Sequence, residues 1–171
     1  MKKIYEEQFS LKDKVVVITG GGGLIGKKHA EAVMEGEGIP VLLDIAEAGM
    51  LRVKKEIGES YGEDLVEYYV TDITDRSALE KVRDDLLNKF GHIDGLINNA
   101  ANNPKVEGGS KNLGALKFQE FPVEIWNADM AVGLTGAFLC AQVFGDVMEM
   151  QNSGVIINIS SYPNEIRRAP F

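Results

Sequence analysis

Short apolar runs rich in β-branched residues alternate along the chain with longer stretches in which apolar residues recur every three or four positions. The first run, Lys14–Thr19, holds Val15, Val16, Val17 and Ile18 without a polar break. A run this short and this continuous predicts a strand buried on both faces, as in a parallel sheet. A helix is predicted from Lys27 to Glu37, with Ala30, Val33 and Met34 on one face, closed by Gly36 and Gly38. Ile39–Asp44 reads as a second strand, Ala46–Ser60 as a helix carrying Met50, Val53 and Ile57, and Leu65–Val70 as a third strand. The helix predicted over Asp75–Phe90 turns Leu79, Val82 and Leu86 inward and stops at Gly91. Asp94–Asn99 is the fourth strand, and a polar loop runs from Asn102 to about Glu120. Pro122 then suits the first turn of a long helix reaching Met150, and Gly154–Ser160 is a fifth strand.

Repeated strand–helix alternation predicts an α/β fold: a doubly wound parallel sheet of the Rossmann kind, about five strands with helices on both faces. No internal repeat or linker divides the 171 residues, so residues 1–171 read as one dinucleotide-binding domain.

Composition removes several classes. Hydrophobic residues make up 44% and charged residues 26%, a globular balance that excludes disorder. No apolar run approaches about 18 residues, so no membrane span is expected. The net charge of −8 and the scattered Lys/Arg pairs give no basic stripe for nucleic acid. A lone cysteine, Cys140, permits no intrachain disulfide or cysteine-based metal site, and His29 and His92 lack ligand-like neighbours, so no metal is expected. Without an apolar leader in Met1–Ser10, the reading is a cytoplasmic protein.

The chemistry concentrates after the first strand, in Gly20-Gly21-Gly22-Gly23-Leu24-Ile25-Gly26. In doubly wound sheets ligands bind beyond the carboxyl ends of the strands, where the strand order reverses. Gly20 would permit the tight turn, Gly23 would let the backbone approach a pyrophosphate, and Gly26 would let the helix sit close, its free N–H groups aimed at phosphate. Asp44 closes the second strand 18 positions beyond Gly26, near the ~20 of a dinucleotide fingerprint. A carboxylate there accepts from both ribose hydroxyls and repels a 2′-phosphate, which favours NAD over NADP; capping of the next helix is its alternative role. Gly21-x-x-x-x-Gly26-Lys27 also approaches a triphosphate-binding loop, but Lys28 stands where that chemistry needs a Ser or Thr hydroxyl on Mg²⁺.

Together with Asp72-Ile73 after the third strand, Asn98-Asn99-Ala100-Ala101 after the fourth, Trp126 through Gly136, and Ile157-Asn158-Ile159-Ser160-Ser161, these motifs resemble the short-chain dehydrogenase/reductases over almost the whole chain. The resemblance implies NAD as cofactor, bound by Gly20, Gly23, Leu24, Ile25, Gly26, Asp44, Ile45, Asp72, Ile73, Asn99, Ala100 and Ala101. It implies that Asp72 accepts from the adenine amino group and that Asn99, Ala100 and Ala101 line the ribose with backbone groups. Ser161 would be the catalytic residue that polarises the reacting oxygen of a small alcohol or carbonyl substrate. Asp72 capping a turn, and Ser160-Ser161 simply ending a strand, are the plainer alternatives.

The departures are as informative. The family's middle glycine usually stands at the position of Leu24; here Gly23 supplies it. Seven positions beyond Trp126 the family carries an active-site asparagine, and this chain has Gly133, which can preserve a helix bend but offers no side chain to a water. The Asn102–Lys105 text is similar to a branch associated with sugar modification and flagellin glycosylation. The family's Tyr-x-x-x-Lys pair, the general acid/base and its activating lysine, does not follow Ser161 within the ten remaining residues, since Ile166 stands four beyond Tyr162. The expectation is therefore a member lacking the usual C-terminal part: an NAD-dependent oxidoreductase by resemblance, catalytically silent as these 171 residues, with a non-catalytic dinucleotide-binding module as the alternative. The family also implies a homo-oligomer through the long helix 122–150. With its usual neighbour missing, Phe138, Leu139, Val143, Phe144 and Val147 are expected to lack cover, and strand five to be an edge.

Overall fold

The computed structural model describes residues 9–61, 66–102 and 118–160. Five strands, β1 (Val15–Thr19), β2 (Ile39–Asp44), β3 (Glu67–Val70), β4 (Gly95–Asn98) and β5 (Val155–Asn158), form one sheet in the order β3-β2-β1-β4-β5. All neighbouring pairs are parallel. The helices are α1 (Leu24–Glu35), α2 (Glu47–Tyr61), α3 (Arg76–Phe90), α4 (Val123–Met130) and α5 (Ala137–Gln151).

The unbroken apolar run of β1 has a direct structural cause. Val15 and Val17 pack into a core formed with α3 and α5, around Leu79, Val82, Leu86, Val143, Phe144 and Val147. Val16 and Ile18 point the other way, into a core formed with α1 and α2, around Ala30, Val33, Met50, Val53 and Ile57. Successive strand residues face opposite sides, so a strand with a core on each side has no solvent position for a polar residue. Each such buried side chain contributes roughly 1.5–3 kcal/mol of transfer free energy.

The predicted boundaries move by one to three residues at most ends. At α3, Asp75 is the N-cap, its carboxylate accepting from Ser77 N at 2.8 Å and Ala78 N at 3.2 Å, and Gly91 closes the helix with φ 81°. The Ser77 hydroxyl, which donates to the same oxygen at 2.8 Å, leads these amides in holding the Asp75 carboxyl below its ordinary range. At α1 the helix begins at Leu24 rather than Lys27, and Gly23, its N-cap, offers no side-chain bond.

The long helix differs more. It is interrupted by a π-helical segment, Ala131–Gly136, which contains Gly133. A Cβ at Gly136 would lie 2.6 Å from Ile73 Cδ1, so the π segment sits against the chain after β3 more closely than any larger residue allows. The expectation of an uncovered face is corrected here. Val143, Phe144 and Val147 are buried against the sheet and Leu139 packs at the edge of that core, while Phe138 alone of the five is exposed. The helical stretch Val123–Gln151 is, among the described residues, long and apolar enough to cross a membrane by length and composition. Polar residues interrupt its apolar sequence, and its inner face is occupied by the core.

Among the described residues β5 is an edge strand, with all four of its residues exposed. At the amino-terminal edge of the sheet, Asp94 ties β1 to β4: Lys14 Nζ and Val15 N donate to its two oxygens, each at 2.9 Å, and His92 Nδ1 lies 2.7 Å from Oδ2.

Candidate nucleotide site

The strand order reverses between β1 and β4, which run side by side while their connections depart to opposite faces. Carboxyl-terminal ends of parallel strands diverge there and leave a crevice. The glycine loop lies at that end. Gly20 has φ 65°, a left-handed conformation that favours glycine, and a Cβ on it would lie 3.0 Å from Ala100 Cα. A Cβ at Gly26 would lie 2.2 Å from Gly20 O and 2.8 Å from Gly21 Cα, so α1 starts in contact with its own loop. Gly23 is more open, its Cβ position meeting only Gly20 O at 3.3 Å.

The first-turn amides of α1 have neither a side-chain cap nor an acidic residue beside them, in contrast to the capped α3. A helix start carries unsatisfied N–H groups and about half a positive charge. Around it Leu24 is 80%, Ile25 55% and Ile45 69% exposed. Three large aliphatic side chains left in solvent next to open amides suit a ligand with both apolar rings and an anionic centre.

Asp44, at the end of β2, has both oxygens oriented by backbone: Gly22 N donates to Oδ2 and Ala46 N to Oδ1, each at 3.0 Å. Its plainer role as a turn cap is therefore present, and each carboxylate oxygen keeps a further lone pair for an incoming hydroxyl. Asp72 has a similar local role, its Oδ1 accepting from Thr74 N at 2.8 Å and Thr74 Oγ1 at 2.7 Å. Ile73 is 6% exposed, so its side chain belongs to the core and only its backbone remains for a ligand.

After β4 the chain is tied back to the end of β1. The amides of Asn99 and Ala100 both donate to Thr19 Oγ1 at 3.0 Å, and Asn99 Nδ2 donates to Thr19 O at 2.9 Å. Those two amides are engaged within the protein, and Ala101 is exposed. Thr19 itself is fully buried and donates onward to Ile97 O at 3.4 Å. Asn98 Nδ2 donates to Asn158 Oδ1 at 2.9 Å, joining the ends of β4 and β5, and Asn98 Oδ1 is buried without a partner among the described residues. Ser161 lies outside the described residues, as do most of the loop after Asn102 and the tail after Ser161.

Sequence reasoning missed the roles of Thr19 and Asn158, and that of Arg52, whose Nη2 donates to Gly22 O at 3.2 Å. A hydroxyl closing an otherwise aliphatic strand was the available signal for Thr19; nothing marks Arg52. Lys27, the cation of the competing triphosphate-loop reading, is held by Glu56 and Glu31 instead. No group of three or more His, Cys, Asp or Glu suited to a metal occurs among the described residues.

The residues present therefore fit a dinucleotide: a cradle closed by Cβ-intolerant glycines, open amides at a helix start, and an oriented carboxylate one strand away. A family model described as short chain dehydrogenase matches residues 14–169. An NAD-dependent glycerol dehydrogenase of Listeria innocua is 30% identical over 164 residues, covering 96% of this chain and 59% of that protein. The post-translational flagellin modification protein A of Campylobacter coli is 28% identical, over 88% of this chain and 56% of its own length. The crystal structure of an NAD⁺-bound xylitol dehydrogenase superposes with a TM-score of 0.76 at 28% identity, covering 88% of this chain and 54% of that one. The chain thus spans little more than half the length of the relatives it matches, among which NAD- and NADP-dependent enzymes both occur.

Proposed function

The chain belongs to the short-chain dehydrogenase family, and from that premise we propose that the crevice at the ends of β1, β2 and β4 is the NAD site of an oxidoreductase acting on a small alcohol or carbonyl compound. The observation that carries the reading is the uncapped start of α1, closed in by Gly20 and Gly26 and facing Asp44 across Gly22. The first-turn amides would hold the diphosphate, and Asp44 would accept from the adenosine ribose hydroxyls. Leu24, Ile25 and Ile45 would cover apolar parts of the ligand, with Asp72 and the backbone of Ile73 near the adenine and the Asn99–Ala101 backbone near the second ribose. A bound nicotinamide supplies hydride chemistry. Ser161 would hydrogen-bond the substrate oxygen.

None of the five tyrosines is followed four positions on by a lysine. The 171-residue chain is accordingly expected to bind NAD and to turn over no alcohol, lacking a residue to move the proton. Gly133 in the π segment, bearing no side chain, favours as a second reading a module that binds a dinucleotide without catalysis. Sugar alcohols head the substrate classes to screen, on the names of the glycerol and xylitol relatives. Self-association along the long helix is supported by Leu134 and Phe138, 65% and 58% exposed and one turn apart, and light scattering of a stable monomer at high concentration would remove it. The buried free thiol of Cys140 suits a reducing, cytoplasmic setting. A fluorescence titration with NADH, paired with a turnover screen, tests the whole reading. Saturable binding without turnover is expected; turnover by the chain refutes its inactivity, and absence of binding refutes the site.

A further inference from the structure

Two opposite charges meet the same residue of the glycine loop. Gly22 donates its N–H to Asp44 Oδ2 at 3.0 Å, and its carbonyl accepts from Arg52 Nη2 at 3.2 Å. The loop is wedged at this point: a Cβ on Gly22 would lie 3.0 Å from Met50 N and 3.2 Å from Asp44 Oδ2. The first turn of α2 is thereby held against the loop, with the Arg52 guanidinium on the same residue as the carboxylate proposed for the adenosine ribose.

The other cations near the loop are neutralised. Lys27 is paired with Glu56 and Glu31, and Lys28 with Glu31. Arg52 forms no ion pair among the described residues; the acid that feels its charge, Glu56, already holds Lys27. Among the described residues its one bond is to a neutral carbonyl, which leaves its other N–H donors for a ligand. A guanidinium exchanges a neutral acceptor readily for a phosphate, where two charge-assisted bonds form in parallel.

We propose that Arg52 is a specificity-determining residue of this site: the cation that holds the 2′-phosphate of a phosphorylated dinucleotide against the repulsion of Asp44. This rests on the dinucleotide reading above. With a free 2′-hydroxyl, Asp44 accepts from the ribose and Arg52 stays on the Gly22 carbonyl. With a 2′-phosphate, Arg52 leaves the carbonyl for the phosphate, and the outcome is set by the balance of one carboxylate against one guanidinium. The native chain then prefers NAD, and its remaining affinity for NADP depends on Arg52.

The test is calorimetric titration of the 171-residue chain with NAD⁺ and NADP⁺, in the native form, Arg52→Gln, Asp44→Asn and the double variant. Arg52→Gln should weaken NADP⁺ about tenfold or more while NAD⁺ changes by less than about twofold, the loss of a charge-assisted pair. Asp44→Asn removes the repelling charge and keeps the shape, so it should tighten NADP⁺, and the double variant should lose that gain. Equal weakening of both dinucleotides by Arg52→Gln would overturn the proposal, because Arg52 would then only steady the loop. So would a gain from Asp44→Asn that survives glutamine at position 52. A native chain that binds neither dinucleotide refutes the site itself and the proposal with it. Normal NAD⁺ binding with an NADP⁺ affinity indifferent to Arg52→Gln refutes Arg52 alone.

Discussion

The hydroxyl oxygen of Thr19, at the end of β1, accepts the amide of Asn99, just beyond β4, at 3.0 Å, and shares itself with the next amide at the same distance. One buried oxygen therefore fixes the chain leaving β4 relative to the chain leaving β1, and with it the width of the crevice. Thr19→Val keeps the shape and removes the acceptor, leaving two amides without a partner. It should cost about 1–3 kcal/mol of stability, read as a lower urea midpoint, whereas Thr19→Ser should stay near the native value. A Thr19→Val midpoint equal to native would dismiss the bond as a contributor.

Gly26 predicts a sharper loss. A methyl group there would lie 2.2 Å from the Gly20 carbonyl, and the obstructing atom is backbone, which cannot rotate away. Gly26→Ala should open the loop and weaken NAD binding at least about tenfold, with helix content by circular dichroism retained. Gly23→Ala, whose Cβ would meet only Gly20 O at 3.3 Å, should be milder. Equal effects of the two variants would contradict the packing argument.

Asp94 gives a pH dependence at the other end of the sheet. Burial alone would raise its carboxyl, but bonds from Lys14, the Val15 amide and His92 outweigh it and hold the group below its ordinary value. A depressed folded value means that the ionised group stabilises the fold above its unfolded pKa, about 3.9, and that this contribution disappears as pH falls through the folded value. Asp94→Asn should cost about 1–3 kcal/mol at pH 7 and flatten the acid limb of the stability curve below about pH 5. An acid limb identical to the native one would contradict the clip.

Cys140 should be inert. Burial between α5 and the sheet pushes its thiol up to about 12, far from thiolate formation at neutral pH. Ellman's reagent should leave the folded chain unmodified and label one thiol after unfolding; rapid labelling of the native chain would place Cys140 at the surface.

The sheet was readable from the sequence because both of its faces are covered. Val15–Ile18 and Val41–Leu43 have no polar alternation, and glycine or a capping acid marks the neighbouring turns. Asp44 was readable because its spacing from Gly26 follows from one helix and one strand of ordinary length. The missed features depend on partners distant in sequence. Thr19 meets Asn99 80 positions later, and Asn98 meets Asn158 60 positions later. No local pattern records such a pairing. The break in the long helix is of the same kind: Gly133 and Gly136 are visible, but Ile73 pressing on Gly136 is a tertiary contact. The expectation of an uncovered face fails because Val143, Phe144 and Val147 pack with Leu79, Val82 and Leu86 of α3 and Leu96 of β4, pairings no local pattern records.

The central claim is that Asp44 and the open start of α1 together hold a dinucleotide, and calorimetric titration of NAD into the native chain and Asp44→Ala tests it most directly. The account predicts one saturable site in the native chain, weakened by roughly 1.5–3 kcal/mol in the variant, the value of a hydrogen bond to a charged group. A native chain that takes up no NAD, or a variant that binds it with unchanged affinity, would contradict it.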